Sequence, residues 1–282
     1  MESQAKSSCT RGLIYMQYIS LYIKFINLRL RGILEYRKAF LIGVTAQFAS
    51  YGAEFLLVWI VINRFQTIQG WLPDQVIFLY GLNLCSYALA GFFFFSINSG
   101  LPLMIKEGTF DEILTKPLNS FLYLSCREFN TGYLSHLILS IFVIGLAFQR
   151  LQLELTFVGF VYLVLVLLGG ALIQGAGLII TAVPSFWFTE SRGIRELLFF
   201  QAKNFIRYPL SIYHGFIQIL LTLILPYAFI NFYPAQYFLK KQDFGFFSPV
   251  FQFVTPIVGL VLFTLAYGFW RVGIRSYQGT GS

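Results

Sequence analysis

Charged side chains are scarce in this chain. Only 11% of its 282 residues are Asp, Glu, Lys or Arg, whereas 57% are hydrophobic. A soluble domain devotes about a quarter of its residues to charged side chains, which cover its surface. So few charges cannot cover a soluble protein of this size, but they are enough for a chain that is surrounded by lipid.

Cysteine and histidine are also scarce. The three cysteines, Cys9, Cys85 and Cys126, have wide and unpatterned spacings that fit neither a disulfide framework nor a metal site. The two histidines, His136 and His214, lie far apart, which argues against a multi-histidine metal centre, and we expect both to be structural. No catalytic set is visible in the sequence.

The chain has no Gly-Lys dipeptide, so it lacks the G-x-x-x-x-G-K-[ST] loop that holds nucleotide phosphates. It cannot bind ATP by that motif, and we expect no directly bound cofactor. Its net charge of +8 is scattered between apolar runs and does not form one basic face, which argues against nucleic acid as a partner.

Six stretches are long and apolar enough to cross a membrane, which takes about 20 residues. They are residues 39–62, 75–98, 130–148, 157–183, 208–231 and 250–272. The 20 Lys and Arg residues lie before, between and after these stretches or at their ends. If the stretches cross the membrane, 16 of these residues fall on one side of it, and four (Arg64, Arg150, Lys240 and Lys241) fall on the other. The positive-inside rule then predicts a multi-pass protein of the inner (plasma) membrane with both termini in the cytoplasm.

A different element precedes the first span. Polar residues from Gln17 to Lys38 recur at steps of three or four and form a narrow stripe on an otherwise apolar helix. This pattern favours a helix lying on the cytoplasmic face of the membrane, with a seventh, poorly inserted span as the alternative. We therefore divide the chain into a tail and interfacial helix at 1–38, a six-span domain at 39–275, and a short tail at 276–282 whose last four residues resemble an appended linker.

The loop after the second span predicts a short helix at 109–116. Thr109 with Glu112 three residues later has the pattern of a capping box, Asp111 adds negative charge at the helix start, and Pro117 ends the helix. The apolar residues that would share one face are Phe110, Ile113 and Leu114. Such a face can enter a partner's groove or pack against the chain's own bundle, and the pattern leaves both open.

Small and polar residues form two stripes inside the spans. They are Gly43, Gln47, Ser50 and Glu54 in the first span, and Gly170, Gln174, Gly177 and Thr181 in the fourth. Such stripes let helices approach closely and form hydrogen bonds in lipid, so they are expected to join spans or to form a dimer seam. The alternative is a translocation path, because a carboxylate within a span, such as Glu54, usually marks a functional site. Glu54 is also close enough to the predicted outer end of its span to be hydrated.

Three parts of the chain resemble type-2 ABC exporter permeases. They are Leu34-Glu35-Tyr36-Arg37, the loop EGTFDEILTKPL at 107–118, and RYPLSIY at 207–213 followed by LPYAFINFYPA at 225–235. The resemblance implies six spans, a cytoplasmic elbow helix before them, and short re-entrant helices between the last two. It also implies that the loop at 109–116 is a coupling helix seated in a cleft of the ATPase, and the coupling residues would be Glu107, Thr109, Phe110, Asp111, Glu112, Ile113 and Leu114.

The same resemblance implies partners and a function. Two separate ABC ATPase subunits would bind ATP and Mg, and the permease would pair with a second copy or a paralogue. The chain would not be an enzyme. It would export an amphiphilic or hydrophobic substrate, such as a lipid, a lipid-linked saccharide, a peptide or a drug. The alternatives are a membrane-embedded lipid-modifying enzyme and an ion-coupled secondary transporter, for which inverted repeats would be expected.

Overall fold

The computed structural model describes residues 20, 23–28, 31–32, 35–64, 67–116, 119–127, 130–188 and 191–278. Within these residues the regular structure is helical, apart from one isolated β-bridge between Ile68 and Trp71. The helices are α1 (Arg37–Arg64), α2 (Pro73–Lys106), α3 (Phe110–Leu114), α4 (Ser120–Arg127), α5 (Tyr133–Arg150), α6 (Phe157–Ala182), α7 (Arg192–Arg195, with a π turn over Glu196–Gln201 and then Ala202–Phe205), α8 (Gly215–Ile219, with a π turn over Leu220–Ile224), α9 (Phe232–Leu239, after a 3₁₀ turn at Tyr227–Phe229) and α10 (Thr255–Ser276).

Five of these helices are long and apolar enough to cross a membrane: α1, α2, α5, α6 and α10. They confirm the first four predicted spans and the sixth, and with them the all-α membrane fold. Large apolar side chains on the outside of the bundle, such as Leu57 in α1 and Leu168 in α6, are about half exposed, as lipid-facing residues should be. The interfacial helix predicted at 17–38 lies largely outside the described residues and stays a prediction.

The two ends of the bundle can be named by what lies there. At the α3 end, Phe110 of α3 contacts Tyr277 just after α10, and α2 ends at Lys106. At the Trp71 end, α2 begins and its Asp74 pairs with Arg150 at the end of α5. Helix α1 begins at the α3 end, and helix α10 ends there. Both termini of the spanning region therefore lie on the same side of the bundle.

Helices α6 and α10 run in the same direction. Gly169 of α6 lies against Pro256 at the start of α10, and Phe186, after α6, lies against Gly273 near the end of α10. Because both helices run from the Trp71 end to the α3 end, the chain between them must cross the bundle once in the opposite direction.

Helix α7 makes this return crossing. Its path along α2 is marked by three contacts, which are Arg195 Nη1 to the Asn98 carbonyl (2.7 Å), Lys203 Nζ to the Tyr87 ring (3.2 Å), and Asn231, which bridges Ile206 to Leu79. The contacts move along α2 from near the α3 end towards the Trp71 end. The crossing therefore uses 192–206, a segment whose charges predict a cytoplasmic loop.

Helices α8 and α9 form a re-entrant pair. The segments Gly215–Ile224 and Tyr227–Leu239 meet at 80°, and both outer ends lie at the Trp71 end, where Gly215 contacts Phe246 and Lys241 Nζ donates to the Gly70 carbonyl (2.6 Å). The bend at Pro226 reaches the level of Gly177 in α6. The prediction of a single span at 208–231 is therefore wrong, because both ends of the pair lie at the Trp71 end. The chain bends at Pro226, which has no amide hydrogen and interrupts the helix.

The corrected crossing predicts where cysteine probes will react. In a variant whose native cysteines are replaced, His214→Cys should be labelled only from the Trp71 side, because the exposed His214 follows the end of α7. Gly193→Cys, at the start of α7, is the matched control and should be labelled only from the α3 side. Labelling of His214→Cys from the α3 side would restore the span at 208–231 and contradict the crossing by α7.

Candidate functional site

Two adjoining cavities lie between α1, α2, α5 and α7. The large cavity has a volume of about 400 Å³ and is lined by Ala46, Gln47, Ser50, Tyr51, Tyr87, Phe95, Asn130, Tyr133, His136 and Phe200. The charged cavity is about 20 Å³, which is room for about one water molecule, and is lined by Tyr51, Glu54, Tyr80, Asn83, Leu84, Tyr87, Lys203 and Arg207. The rings of Tyr51 and Tyr87 border both cavities.

The large cavity has a polar wall inside an apolar bundle. The His136 ring lies between Tyr51 and Tyr133, with ring centroids 3.7 and 4.7 Å away, and the Tyr133 hydroxyl is 3.0 Å from that of Tyr87. Among the described residues, nothing hydrogen-bonds His136 Nε2 or Gln47 Oε1, although both atoms are buried. Buried polar atoms are normally paired, so these two leave hydrogen-bonding capacity at the cavity.

The charged cavity holds an ion pair and a second cation. Arg207 donates to the Glu54 carboxylate, and the two side chains are 30% and 27% exposed. The Lys203 ammonium lies 3.2 Å from the centroid of the Tyr87 ring and 5.9 Å from that of Phe199. Within the described residues no carboxylate forms an ion pair with Lys203, so the cavity has one more positive than negative charge.

The stripe on the first span points to Glu54 but to neither of its neighbours. Because the apolar run predicts a fifth span at 208–231, Lys203 and Arg207 are expected in the loop before it. Two signals in the sequence point to their position. The residues are four apart and so share a helix face, and Glu54 needs a cation if it lies in a span.

The stripe on the first span and the stripe on the fourth occupy different places. Gln47 and Ser50 line the large cavity, and Glu54 lines the charged one. Gln174 and Thr181 instead lie at the contact of α6 with α2, where both side chains are buried. They hold two spans of the same chain together and line neither of the two cavities.

The contact of α6 with α2 is made by amide side chains. Gln174 Nε2 donates to the backbone and side-chain oxygens of Asn83, each at 3.1 Å. Asn98 Nδ2 donates to the Leu178 carbonyl (2.7 Å) and to the Thr181 hydroxyl (3.1 Å). These hydrogen bonds satisfy polar groups that lipid could not satisfy, and so they fix α6 against α2.

The start of α3 differs from the prediction. Thr109 has helical backbone angles and its hydroxyl donates to the Met104 carbonyl (3.4 Å), while the Glu112 carboxylate accepts from Lys116 (2.8 Å). The capping box is therefore absent here, because Gly108, with φ +72°, turns the chain from α2 straight into α3 and Thr109 is not an extended cap. The hydrogen bond from Lys116 lowers the pKa of the Glu112 carboxyl.

The apolar side of α3 packs against the chain itself. Phe110 and Ile113 are buried, and the Phe110 ring contacts those of Phe186 (5.4 Å) and Tyr277 (5.2 Å). This corrects the predicted docking face of Phe110, Ile113 and Leu114. The exposed face of this region, called the outer face below, consists of Glu107, Asp111, Glu112 and Leu114.

The ion pair in the charged cavity can be tested by its contribution to stability. Glu54→Gln and Arg207→Gln should each lower the free energy of unfolding by about 2 kcal/mol, less than a fully buried pair, because each leaves one partly hydrated charge unpaired. The double variant should lose less than the sum. Arg150→Gln, which breaks the more exposed pair with Asp74, is the control and should cost below about 1 kcal/mol. Unfolding in detergent measures these values, and additive losses at 54 and 207 would show that the pair contributes nothing.

Comparison with known proteins identifies the family. The family model described as "ABC-2 family transporter protein" matches residues 48–281, which include all ten helices except the first turns of α1. No curated protein and no solved structure matches the chain. Because the match covers most of the chain, this protein is a multi-pass membrane transporter permease that belongs to the ABC-2 family.

Proposed function

We propose that this chain is the membrane subunit of an ATP-driven exporter whose ATPase is a separate polypeptide. The family supports a transport subunit, and the absence of a phosphate-binding loop in the sequence agrees with ATP being bound elsewhere. ATP and Mg are then held by two ATPase subunits, each engaging one permease of a pair formed with a second copy or a paralogue.

The observation that carries this proposal is the construction of α3. Its inner side is anchored by Phe110 among aromatic rings of the bundle, so the helix cannot move without moving its neighbours. Its outer face presents three carboxylates and Leu114, which is 41% exposed. A rigidly held helix with a polar rim and one apolar side chain suits insertion into a groove on a partner.

The orientation follows the distribution of basic residues. With α7 as a crossing, Lys203 and Arg207 leave the cytoplasmic count, but Lys and Arg remain more numerous at the α3 end than at the Trp71 end. The α3 end then faces the cytoplasm, where the ATPase is. The exported substrate is an amphiphile, because the spans offer polar groups in the two cavities and apolar surface elsewhere.

The coupling role of α3 is tested on its outer face. Asp111→Arg with Leu114→Ala should lower the affinity for the co-expressed ATPase about tenfold or more, because the first reverses a charge and the second removes an apolar contact at the interface. Both side chains are exposed, and Asp111 meets the bundle at Tyr277 on its surface, so membrane insertion should be unchanged. Retention of the ATPase on the purified permease and the rate of substrate-stimulated ATP hydrolysis are the measurements.

Phe110→Ala tests the contribution of α3 to folding, as distinct from its proposed role in coupling. This residue is fully buried, so its truncation should destabilise the isolated permease by about 3–5 kcal/mol. Exposed Leu122→Ala, in α4, is a control that should change neither stability nor ATPase retention. If the outer-face double variant retained the ATPase as well as the Leu122→Ala control, α3 would not be the coupling element.

A further inference from the structure

Among the described residues, Lys203 carries a charge inside the bundle with which no carboxylate forms an ion pair. A charge in a poorly hydrated site is costly unless an opposite charge or several hydrogen bonds compensate it. The faces of Tyr87 and Phe199 supply part of that compensation through cation–π attraction. Among the described residues no oxygen or nitrogen accepts from this ammonium, so the N–H donors that point away from the rings are available to a ligand.

The surrounding helices offer no second acid among the described residues. Glu54 of α1 is engaged by Arg207, which follows α7. The neighbours from α2 are Tyr80, Asn83 and Tyr87, which carry no charge at neutral pH. Within the described residues, Lys203 therefore has no ion-pair partner of its own, and it shares the one carboxylate of the cavity, Glu54, with Arg207.

The two cavities differ in a way that suits the two ends of one molecule. The charged cavity beside Lys203 is small, and the large cavity on the other side of Tyr51 and Tyr87 is within the range of ligand pockets, about 300–1,000 Å³. The wall of the large cavity includes Gln47 Oε1 and His136 Nε2, which have no hydrogen-bond partner in the described part of the chain, together with the rings of Phe95 and Phe200. The hydroxyls of a head group could form hydrogen bonds with these polar atoms, and the apolar chain that follows the head group could pack against the rings.

We propose that the two cavities form a single binding site for an amphiphile with one negatively charged head group, such as a phosphodiester. One anionic oxygen occupies the water-sized charged cavity beside Lys203, and the rest of the head group lies in the large cavity. The Glu54–Arg207 pair limits the site to a single charge, because Glu54 neutralises Arg207 and would repel a second anionic group. This proposal rests on the exporter function and gives its substrate class.

Lipid binding to the purified chain in a non-ionic detergent tests the site. Native mass spectrometry would compare phosphatidylglycerol with phosphatidylcholine of the same acyl chains. The chain should bind phosphatidylglycerol about tenfold more tightly, as expected if the anion contributes one favourable ion pair. Lys203→Gln should abolish this preference and Lys203→Arg should keep it, because Arg preserves the charge.

A matched control separates the site from general attraction of anionic lipid. Lys240→Gln removes an exposed lysine from the Trp71 end, outside both cavities, and should leave the preference unchanged. Gln47→Leu, in the wall of the large cavity, should weaken phosphatidylglycerol binding while the protein stays folded. An unchanged preference in Lys203→Gln, or an equal loss in Lys240→Gln, would overturn the proposal.

Inorganic phosphate distinguishes the two sources of the anion. If millimolar phosphate fails to displace the lipid, the site needs the apolar chain and the proposal stands. Full displacement would show that the site binds a free anion, and would overturn the proposal that its ligand is an amphiphile. These measurements use neither ATP nor the ATPase, so their failure leaves the coupling role of α3 intact, and a failure of coupling leaves the lipid preference unchanged.

Discussion

The amide of Asn231 makes the contact on which the arrangement of this bundle depends. Its Nδ2 donates to the Ile206 carbonyl (2.6 Å) and to the Leu79 carbonyl (3.1 Å), so one side chain joins the end of α7, the re-entrant pair and α2. The last carbonyls of a helix have no partner within it, and lipid offers none. A crossing as short as α7 can end inside the bundle because Asn231 satisfies its final carbonyl.

The sequence predicts the long helices well and the broken ones poorly. Five spans are uninterrupted apolar runs, and their positions follow from the length needed to cross a bilayer. The fifth crossing fails that criterion because α7 is short and carries Arg192, Arg195 and Lys203. The re-entrant pair meets the criterion because it is apolar throughout, although Pro226 bends it. Hydropathy cannot distinguish these cases, since the partner groups that make α7 tolerable come from α1, α2 and α9.

The candidate site shows the same limit. The stripes on the first and fourth spans are visible at helical spacing, but the sequence does not say which neighbour each one meets. In the fold, Gln174 and Thr181 meet α2, and Thr181 also borders an apolar pocket beside Pro226, whereas Gln47 and Glu54 line the two cavities next to α7. The apolar residues of α3 pose the same ambiguity. Phe110 and Ile113 could face a partner or the bundle, and only tertiary packing, with rings from after α6 and α10, decides for the bundle.

Helix α2 connects the two proposed functional regions, the cavities and α3. It begins beside Trp71, forms a wall of both cavities with Tyr87, and ends at Lys106, where Gly108 turns the chain into α3. Because an α-helix transmits displacement along its axis, and because Asn83 and Asn98 fix α2 to α6, a movement imposed on α3 would shift both helices together. Helix α7 is held to α2 by the hydrogen bond from Arg195 to the Asn98 carbonyl and by the contact of Lys203 with Tyr87, and it contains a π turn just before Lys203, where the helical hydrogen bonding is irregular.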